Sequence, residues 1–308
     1  MTTSANNNNF GKVAVLMGGR SAEREISLLS GKAVLKALQE NNIDAHGVDV
    51  GHDIASVLKE GNYDRAFVML HGRGGEDGTM QGLLSLMNIP YTGSNVLGSA
   101  LAMDKLRSKQ LWRAEKLPTP DYVVLDSVEA CSTAIQEIGL PLIVKPVLEG
   151  SSIGMTKVED KDDLVPAWKK ADACGGCVIA ERWIEGSEYT AAILKDRVLP
   201  MIRLETPHKF YDYDAKYQSS DTQYICPCGL DEEIESDLSR IVLEAFKVVG
   251  ASGWGRVDFI IDNSDQVWLI EVNTIPGMTD HSLVPMAAKQ AGLDFNRLVI
   301  EILETAHV

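Results

Sequence analysis

The sequence has few of the features that mark several large classes of protein. Lysine and arginine total 29 against 44 aspartates and glutamates, a formal net charge of −15, which argues against a nucleic-acid partner because neutralising phosphates needs an excess of basic side chains. No apolar run approaches the roughly 18 residues that span a bilayer, and residues 1–10 lack the basic start and apolar core of a signal peptide. We therefore expect a disordered tail at residues 1–10 and a soluble, cytoplasmic protein with no membrane partner.

Cysteine is also scarce. The sequence contains five, at Cys131, Cys174, Cys177, Cys226 and Cys228. An odd count without a secretion signal favours reduced thiols. The last four cysteines could form a four-thiolate zinc site. However, Cys226 and Cys228 are separated by one residue, where such sites have two or more. Scattered free thiols are the favoured interpretation.

What is present is ordinary globular material. Hydrophobic residues make up 45% and charged residues 24% of the 308, which excludes disorder, collagen and coiled coil and suggests two or three domains. Near the N-terminus, apolar strands alternate with helices, a pattern typical of a parallel, doubly wound sheet. The predicted strands are residues 12–17, 45–50 and 65–70, and the predicted helices are residues 21–39, with Ser21 as the N-cap, and 54–59.

The rest of the chain has a different pattern of predicted strands and helices. The alternation gives way to α+β character with antiparallel strands, so we predict an N-terminal α/β domain at residues 11–95 and a central α+β domain at 96–187. A C-terminal domain follows at 188–308. Its predicted elements are a hairpin of residues 188–194 and 198–204, a helix at 232–249, and strands at 254–261 and 267–272.

The last two strands carry the strongest chemical signal. Residues 262–266 have turn composition, and a hairpin centred there places Asp258 opposite Glu271 and Arg256 opposite Asn273. Side chains alternate along a strand, so these four share one face; the opposite face is predicted to hold Val257, Phe259, Ile270 and Val272. Two carboxylates and an amide offer only oxygen ligands, which favours Mg²⁺ or Mn²⁺. The alternative is a structural network of Arg256 with the acids.

Two glycine-containing loops suggest ligand binding. Lys145 ends an apolar strand and is followed by Glu-Gly-Ser-Ser-Ile-Gly at residues 149–154, which suits phosphate binding, although an ordinary turn is the alternative. It is not a Walker A loop, and no dinucleotide fingerprint follows Gly18 and Gly19. His-Gly-Arg-Gly-Gly-Glu-Asp-Gly at residues 71–78 follows a strand and is either a ligand loop or a flexible surface loop.

Taken together, these motifs resemble the D-alanine–D-alanine ligase family, from about residue 13 to residue 291. The matching stretches include Gly-Gly-Arg-Ser-Ala-Glu-Arg-Glu from residue 18, Tyr-Asp-Tyr-Asp-Ala-Lys-Tyr from residue 211 and Glu-Val-Asn-Thr-Ile-Pro-Gly-Met-Thr from residue 271. The resemblance implies the ATP-grasp fold, ATP and two Mg²⁺ (or Mn²⁺) per site, D-alanine as substrate, an acyl-phosphate intermediate, a homodimer and a product used for peptidoglycan.

The resemblance also implies roles for individual residues. For the nucleotide these are Lys105, Lys145 and Lys216 at phosphates, Ser152 in the covering loop, Glu181 and Ile184 at adenine and Glu188 at ribose. For the metal ions they are Asp258, Glu271 and Asn273. For D-alanine they are Glu23 at the first ammonium, His71 in the first subsite, Arg256 at the oxyanion, Ser282 at the second carboxylate, and Ser151 and Tyr217 hydrogen-bonded to Glu23.

Two other functions remain open on sequence grounds. One is an ATP-grasp ligase that joins a different amino acid, although Tyr217 and the segment around His71 favour D-alanine. The other is a nucleotide-binding regulator without turnover, using the clustered thiols to hold zinc. One bound zinc ion per chain would favour the regulator.

Overall fold

The structure is a computed structural model that describes residues 10–205 and 222–308. Most of the predicted N-terminal tail lies outside these residues, but its last residue does not. Phe10 is buried in the core, its carbonyl accepts a hydrogen bond from Arg65 Nε at 2.9 Å, and the Arg65 guanidinium lies over its ring. The prediction of a disordered tail is therefore wrong for Phe10.

The N-terminal region forms the predicted parallel sheet. The strands β1, β2 and β3 lie in the order β2-β1-β3, and both pairings are parallel. β1 is buried along its whole length, which explains its unbroken apolar run. The elements are β1 (Val13–Met17), α1 (Arg24–Glu40), β2 (Ala45–Asp49), α2 (Ile54–Gly61), β3 (Arg65–Val68), α3 (Thr79–Leu86) and α4 (Val96–Met103).

The start of α1 corrects one prediction. Ser21 is not the N-cap, because the helix begins at Arg24 and Glu23 occupies the cap position without a side-chain cap bond. The Ser21 hydroxyl instead donates to the carbonyl of His71 at 2.7 Å and accepts the Glu23 N–H at 3.1 Å. Local sequence rules predict that the Ser21 side chain caps α1, but its hydroxyl is used in a hydrogen bond to His71, which is distant in sequence.

The central region is an antiparallel sheet in the order β4-β7-β5-β6. The helices α6 and α7 share an apolar core with it, centred on Leu142, Val144 and Ala180. The elements are α5 (Lys105–Ala114), β4 (Tyr122–Val124), α6 (Val128–Glu137), β5 (Leu142–Pro146), β6 (Thr156–Val158), α7 (Leu164–Asp172) and β7 (Val178–Arg182).

The C-terminal region is a second antiparallel sheet, in the order β11-β10-β8-β12-β13 with β9 paired to β8. The predicted strand at 198–204 is two pieces, because Pro200 has no N–H to donate and the Met201 N–H bonds Glu235 at 3.1 Å. The elements are β8 (Gly186–Leu194), β9 (Arg197–Val198), β10 (Ile202–Glu205), β11 (Gln223–Ile225), α8 (Glu232–Val248), β12 (Trp254–Asp262) and β13 (Val267–Asn273).

The C-terminal end of the chain packs against the N-terminal region. The last helices, α9 (Leu283–Gln290) and α10 (Phe295–Leu303), share the apolar core of the N-terminal sheet, and α10 packs on α1. Tyr91 and His307 form an isolated antiparallel bridge beside β3. In the described part of the chain, no helix combines the length and apolarity needed to span a membrane. The exact domain bounds stay a prediction.

Candidate active site

Two adjoining cavities are lined by residues of the N-terminal, central and C-terminal regions. The first, here called the sheet cavity, has a volume of about 500 Å³ and lies between the central and C-terminal sheets. The second, the loop cavity, is about 510 Å³ and is enclosed by α1, the loop 71–78 and the segment 275–283. Gly150, Arg256, Glu271 and Leu283 line both. The cavities therefore share a wall that carries one cation and one acid.

The predicted site residues that the structure describes all line these cavities. In the sheet cavity lie Lys105, Lys145, Ser152, Glu181, Ile184, Glu188 and Asp258, and in the loop cavity lie Glu23, His71, Ser151, Asn273 and Ser282. Lys216 and Tyr217 fall outside the described residues, so their predicted roles stay predictions. Residues as far apart in sequence as Glu23 and Ser282 thus meet in one place.

A buried ionic cluster forms one wall of the sheet cavity. Glu181 on β7 receives Lys145 Nζ at 2.9 Å and Lys109 Nζ at 2.6 Å, and the Glu181 and Lys109 side chains are 3% and 0% exposed. Burial alone would raise the pKa of Glu181, but the charges and hydrogen bonds of the two lysines outweigh it and lower that pKa. Burial lowers the pKa of Lys109 to about 8, opposed by Glu181. Two ammonium groups on one carboxylate leave an excess positive charge suited to an anionic ligand.

The hairpin acids lie where the sequence predicts them. Arg256 pairs with Asn273 and Asp258 with Glu271 across the β12–β13 ladder, which confirms the predicted register at this end. Arg256 binds Asp258 with two hydrogen bonds, Nε to Oδ1 at 2.8 Å and Nη2 to Oδ2 at 2.7 Å. Asn273 Nδ2 donates to the same carboxylate at 3.1 Å, and Thr190 donates at 2.6 Å.

Nearer the turn the predicted register is wrong by one residue. A β-bulge follows the Asp258–Glu271 pair, so Phe259 lies opposite Leu269 rather than Ile270. Leu269 therefore joins Phe259 in the core, while Ile270 lines the sheet cavity beside Glu271. A bulge places two consecutive side chains on one face, which strict alternation excludes.

Lys105 connects the hairpin to the glycine-containing loop. Its side chain is 9% exposed, and Nζ lies 3.1 Å from Glu271 and donates to the carbonyl of Glu149 at 2.8 Å. A helix lysine would ordinarily be solvated. Here burial among an acid and a carbonyl fixes its ammonium group at the common wall of the two cavities.

The loop at residues 149–152 also contacts the N-terminal region. The Ser151 hydroxyl donates to Glu23, and Ser151 and Ser152 both have positive φ, at 50° and 59°. Arg73 in the loop 71–78 pairs with Glu149 at 2.8 Å. The central region is thereby joined to the N-terminal region directly over the loop cavity.

His71 and Glu76 form the inner wall of the loop cavity. His71 Nδ1 donates to the carbonyl of Ile275 at 2.8 Å, and burial lowers the His71 pKa against the opposing effects of Glu23 and that hydrogen bond. The Glu76 carboxylate accepts the N–H of Gly72 at 2.7 Å and of Ile275 at 3.3 Å. Burial, then the charge of Glu23, raises the pKa of Glu76 to about 8.

Ser282 stands in the N-cap position of α9 but makes no side-chain cap bond. Its hydroxyl instead accepts the Thr279 N–H at 2.9 Å and lies 2.9 Å from the Thr279 hydroxyl. The free helix N-terminus and two hydroxyls border the loop cavity. Such a group of donors is suited to a carboxylate.

Sequence reasoning missed Lys109, Glu76 and Arg73 as members of the site. Lys109 is four residues after Lys105, so both lie on one face of α5; that spacing was the available signal. Glu76 and Arg73 were inside a motif that the sequence singled out, but nothing in it distinguishes a buried acid from a solvated one.

The cysteines do not converge. Cys131 and Cys228 lie in different apolar cores, Cys177 packs against a third and Cys226 against a fourth. All five are free thiols. Across residues 10–205 and 222–308, no three His, Cys, Asp or Glu side chains form a metal-binding group. The disfavoured alternative of a four-thiolate zinc site is therefore inconsistent with the fold.

Comparisons of the sequence agree with this geometry. Residues 12–62 and 50–94 match the family profile described as D-ala D-ala ligase N-terminus, and residues 111–304 match D-ala D-ala ligase C-terminus. The chain is 59% identical over 297 residues to the D-alanine–D-alanine ligase of Methylococcus capsulatus, covering 96% of each. It is 59% identical over 294 residues to that of Ectopseudomonas mendocina, covering 96% of this chain and 94% of the relative.

Solved structures give the same result. The D-alanine–D-alanine ligase of Bacillus anthracis superposes with a TM-score of 0.86 at 34% identity, covering 96% of each chain. The structure of the B. anthracis enzyme complexed with ATP superposes at 0.85 and 31%, with the same coverage. With its three sheets in this arrangement and its sequence matched over nearly its whole length, the chain belongs to the D-alanine–D-alanine ligase family.

Proposed function

We propose that this protein joins two molecules of D-alanine to D-alanyl-D-alanine for peptidoglycan precursor synthesis, converting ATP to ADP and phosphate. The observation that carries the proposal is the common wall of the two cavities. A nucleotide in the sheet cavity would place its terminal phosphate beside Arg256 and Glu271, which also border the loop cavity. Adjacent binding of two reactants removes much of the entropic barrier to their reaction.

The reaction proceeds by two transfers. The carboxylate of the first D-alanine takes the γ-phosphoryl group of ATP, so a phosphorus–oxygen bond forms as ADP leaves. The amine of the second D-alanine, after losing a proton, attacks the carbonyl carbon, and the tetrahedral intermediate expels phosphate. Phosphorylation replaces a poor leaving group with a good one, and the protein supplies position and charge.

On the nucleotide side, the buried cluster supports the assigned roles. Lys105 and Lys145 would contact phosphates, with Ser152 in the loop that covers them, and the net positive charge around Glu181 favours the polyanion. Ile184 and Glu188 line the sheet cavity farther along the chain, consistent with adenine and ribose contacts. Lys216 is proposed to reach the transferred phosphate.

On the substrate side, the charges suit two zwitterions. Glu23 would bind the ammonium group of the first D-alanine, with Ser151 and Tyr217 as its hydrogen-bonding neighbours and His71 beside it. Arg256 would stabilise the oxyanion. The hydroxyl of Ser282 and the start of α9 would hold the carboxylate of the second D-alanine.

The hairpin fits a divalent cation. Asp258, Glu271 and Asn273 present only oxygen ligands and lie on one face of paired strands, which is the chemistry that Mg²⁺ prefers. Two such ions, or Mn²⁺, would neutralise the phosphates and the reacting carboxylate. In the structure Arg256 and Lys105 provide the positive charge that Asp258 and Glu271 require.

The assembly and the location are proposed on the family resemblance alone. We propose a homodimer in the cytoplasm. Light scattering with size-exclusion chromatography gives the mass of the assembly directly, and a mass of one chain across the working concentration range would contradict the dimer.

The decisive experiment measures phosphate release from ATP and Mg²⁺ with each of several D- and L-amino acids. We expect release with D-alanine, D-alanyl-D-alanine as the product by mass spectrometry, and no release in excess EDTA. The Glu271→Gln variant should lose most turnover while keeping its melting temperature. Preference for another amino acid would replace the proposed substrate, and full activity in EDTA would remove the metal ions from the mechanism.

A further inference from the structure

The backbone of Ile275 is held on both sides, at its N–H and at its carbonyl, by the loop at residues 71–78. Its N–H donates to Glu76 Oε1 at 3.3 Å, and its carbonyl accepts His71 Nδ1 at 2.8 Å. Ile275 is 2% exposed, so water cannot replace these partners. A buried peptide that loses its partners costs about 1–3 kcal/mol per group.

The loop at residues 71–78 is itself stabilised by hydrogen bonds from its own backbone and from Gln81. The second oxygen of Glu76 accepts the Gly72 N–H at 2.7 Å, and Gly74 N–H donates to Asp77 at 2.8 Å. Gln81 Nε2 donates to the carbonyl of Gly75 at 2.6 Å. Glu76 therefore joins a braced loop of the N-terminal region to a segment of the C-terminal region.

The segment beyond Ile275 is part of the loop cavity. Pro276 and Gly277 line it together with Ser282. The fit is close, because a Cβ on Gly277 would lie 3.0 Å from Ser282 Oγ. A small displacement of the Ile275 peptide would therefore move the cavity wall against the hydroxyl assigned to the second D-alanine.

We propose that Glu76 is a positioning residue, which fixes the Ile275–Gly277 segment and so sets the shape of the subsite for the second D-alanine. The inference rests on the proposed function only in naming the occupant of that subsite. Glu76 acts through the Ile275 peptide rather than on the reacting atoms. Its effect should therefore appear in the binding of the acceptor and not of ATP.

Glu76→Gln tests the inference with little change in shape. Each of the two carboxyl oxygens of Glu76 accepts one N–H, and both oxygens keep a lone pair for this in either protonation state, whereas an amide has a single oxygen and presents its NH₂ to one of the N–H groups. Asp77→Asn is the matched control, since Asp77 also accepts N–H groups, from Gly74 and Thr79, but does not reach Ile275. Both variants lose one acidic residue from the same loop.

We expect Glu76→Gln to raise the KM for the second D-alanine about tenfold and to leave the KM for ATP within about twofold. The backbone amides of Ile275 and of residues 277–279 should exchange with deuterium faster in Glu76→Gln than in the wild type or Asp77→Asn. Should Glu76→Gln not fold, Glu76→Asp, which keeps the carboxyl group but shortens its reach, should show the same ranking.

The outcomes separate the two proposals. Unchanged acceptor KM and unchanged exchange at Ile275 and residues 277–279 in the variants would overturn the positioning role. Equal effects of Glu76→Gln and Asp77→Asn would assign the effect to the loop as a whole and also overturn it. A wild-type protein that releases no phosphate with D-alanine would instead contradict the proposed function, while exchange would still report the hold on Ile275.

Discussion

The two cavities each contain a buried glutamate, and the two carboxyl groups behave in opposite ways. Glu181 in the sheet cavity has two lysines on its oxygens, and its pKa is lowered. Glu76 in the loop cavity has two backbone N–H groups and another acid nearby, and its pKa is raised to about 8. Burial is the largest single influence on both, so the partners decide the ionisation state.

The difference between the surroundings of Glu181 and Glu76 corresponds to the charge of the ligand that each cavity is proposed to bind. Around Glu181 the cations outnumber the acids, which favours a polyphosphate. In the loop cavity the raised pKa keeps Glu76 largely protonated at pH 7, so Glu23 beside Arg256 provides a negative charge, which favours a substrate that carries an ammonium group. A charge change at either glutamate should therefore affect one substrate more than the other.

The largest effect is expected from Lys109→Met. The variant removes one of two cations from a fully buried carboxylate and should destabilise the protein by about 3 kcal/mol. The pKa of Glu181 should rise, and the affinity for ATP should fall while D-alanine binding changes little. Denaturant unfolding and calorimetric titration with ATP measure the two consequences.

Lys36→Met is the control for Lys109→Met. Lys36 also lies on a helix and is paired with an acid, Glu40, but its side chain is 78% exposed. We expect a change within about 0.5 kcal/mol. If Lys109→Met matched this control in stability and in ATP affinity, the buried cluster would have no part in nucleotide binding.

A smaller effect is expected in the pH dependence of stability. The folded-state pKa of Glu76, about 8, lies above its ordinary value of 4.5, so the folded protein holds a proton that the unfolded chain has released. This contribution is complete below about pH 4.5 and is lost as the pH rises through 8, amounting to about 1 kcal/mol between pH 7 and pH 8. Glu181, with its lowered pKa, contributes in the opposite sense, and its contribution is lost as the pH falls below about 4.5.

Glu76→Gln isolates that contribution. The charged groups that act on Glu76 are Glu23 and Arg256. His71 lines the same cavity, and burial lowers its pKa from an ordinary value of 6.5. Melting temperatures of wild type and variant at pH 7 and pH 8 should differ in slope, the wild type losing more stability. Parallel slopes would show that Glu76 is ionised throughout, like Glu181.

Sequence reasoning predicted the acids of the hairpin but not this contrast, for a physical reason. Alternation of side chains is a local rule, so the pairing of Asp258 with Glu271 could be worked out from turn composition. The β-bulge that turns Ile270 toward the sheet cavity interrupts this alternation. Nothing in the local sequence pattern indicates the bulge. The partners of Glu76 and Glu181 come from elements distant in sequence, so the ionisation state of each could be found only from the fold.

The smallest expected effect tests whether the two cavities act independently. Arg73, beside the loop cavity, pairs with Glu149, whose carbonyl accepts the ammonium group of Lys105 in the sheet cavity. This chain of contacts connects the cavities along one loop. Because the Arg73 side chain is 47% exposed, the pair should contribute only about 0.2–1 kcal/mol.

A double-mutant cycle with Arg73→Glu and Glu149→Arg measures that contribution. We expect these contacts to make D-alanine raise the affinity for ATP. Each single variant should weaken this expected enhancement about two- to fivefold, and the double variant should recover it because the pair is restored with its charges exchanged. Arg107→Ala, on the exposed face of α5 and bonded to Gln110, should leave the enhancement unchanged. The enhancement should also weaken with added salt, since the pair is partly solvated. If the effects of the two single variants simply add in the double variant, Arg73 and Glu149 do not couple the cavities, and the contrast between Glu181 and Glu76 is one between two separate sites.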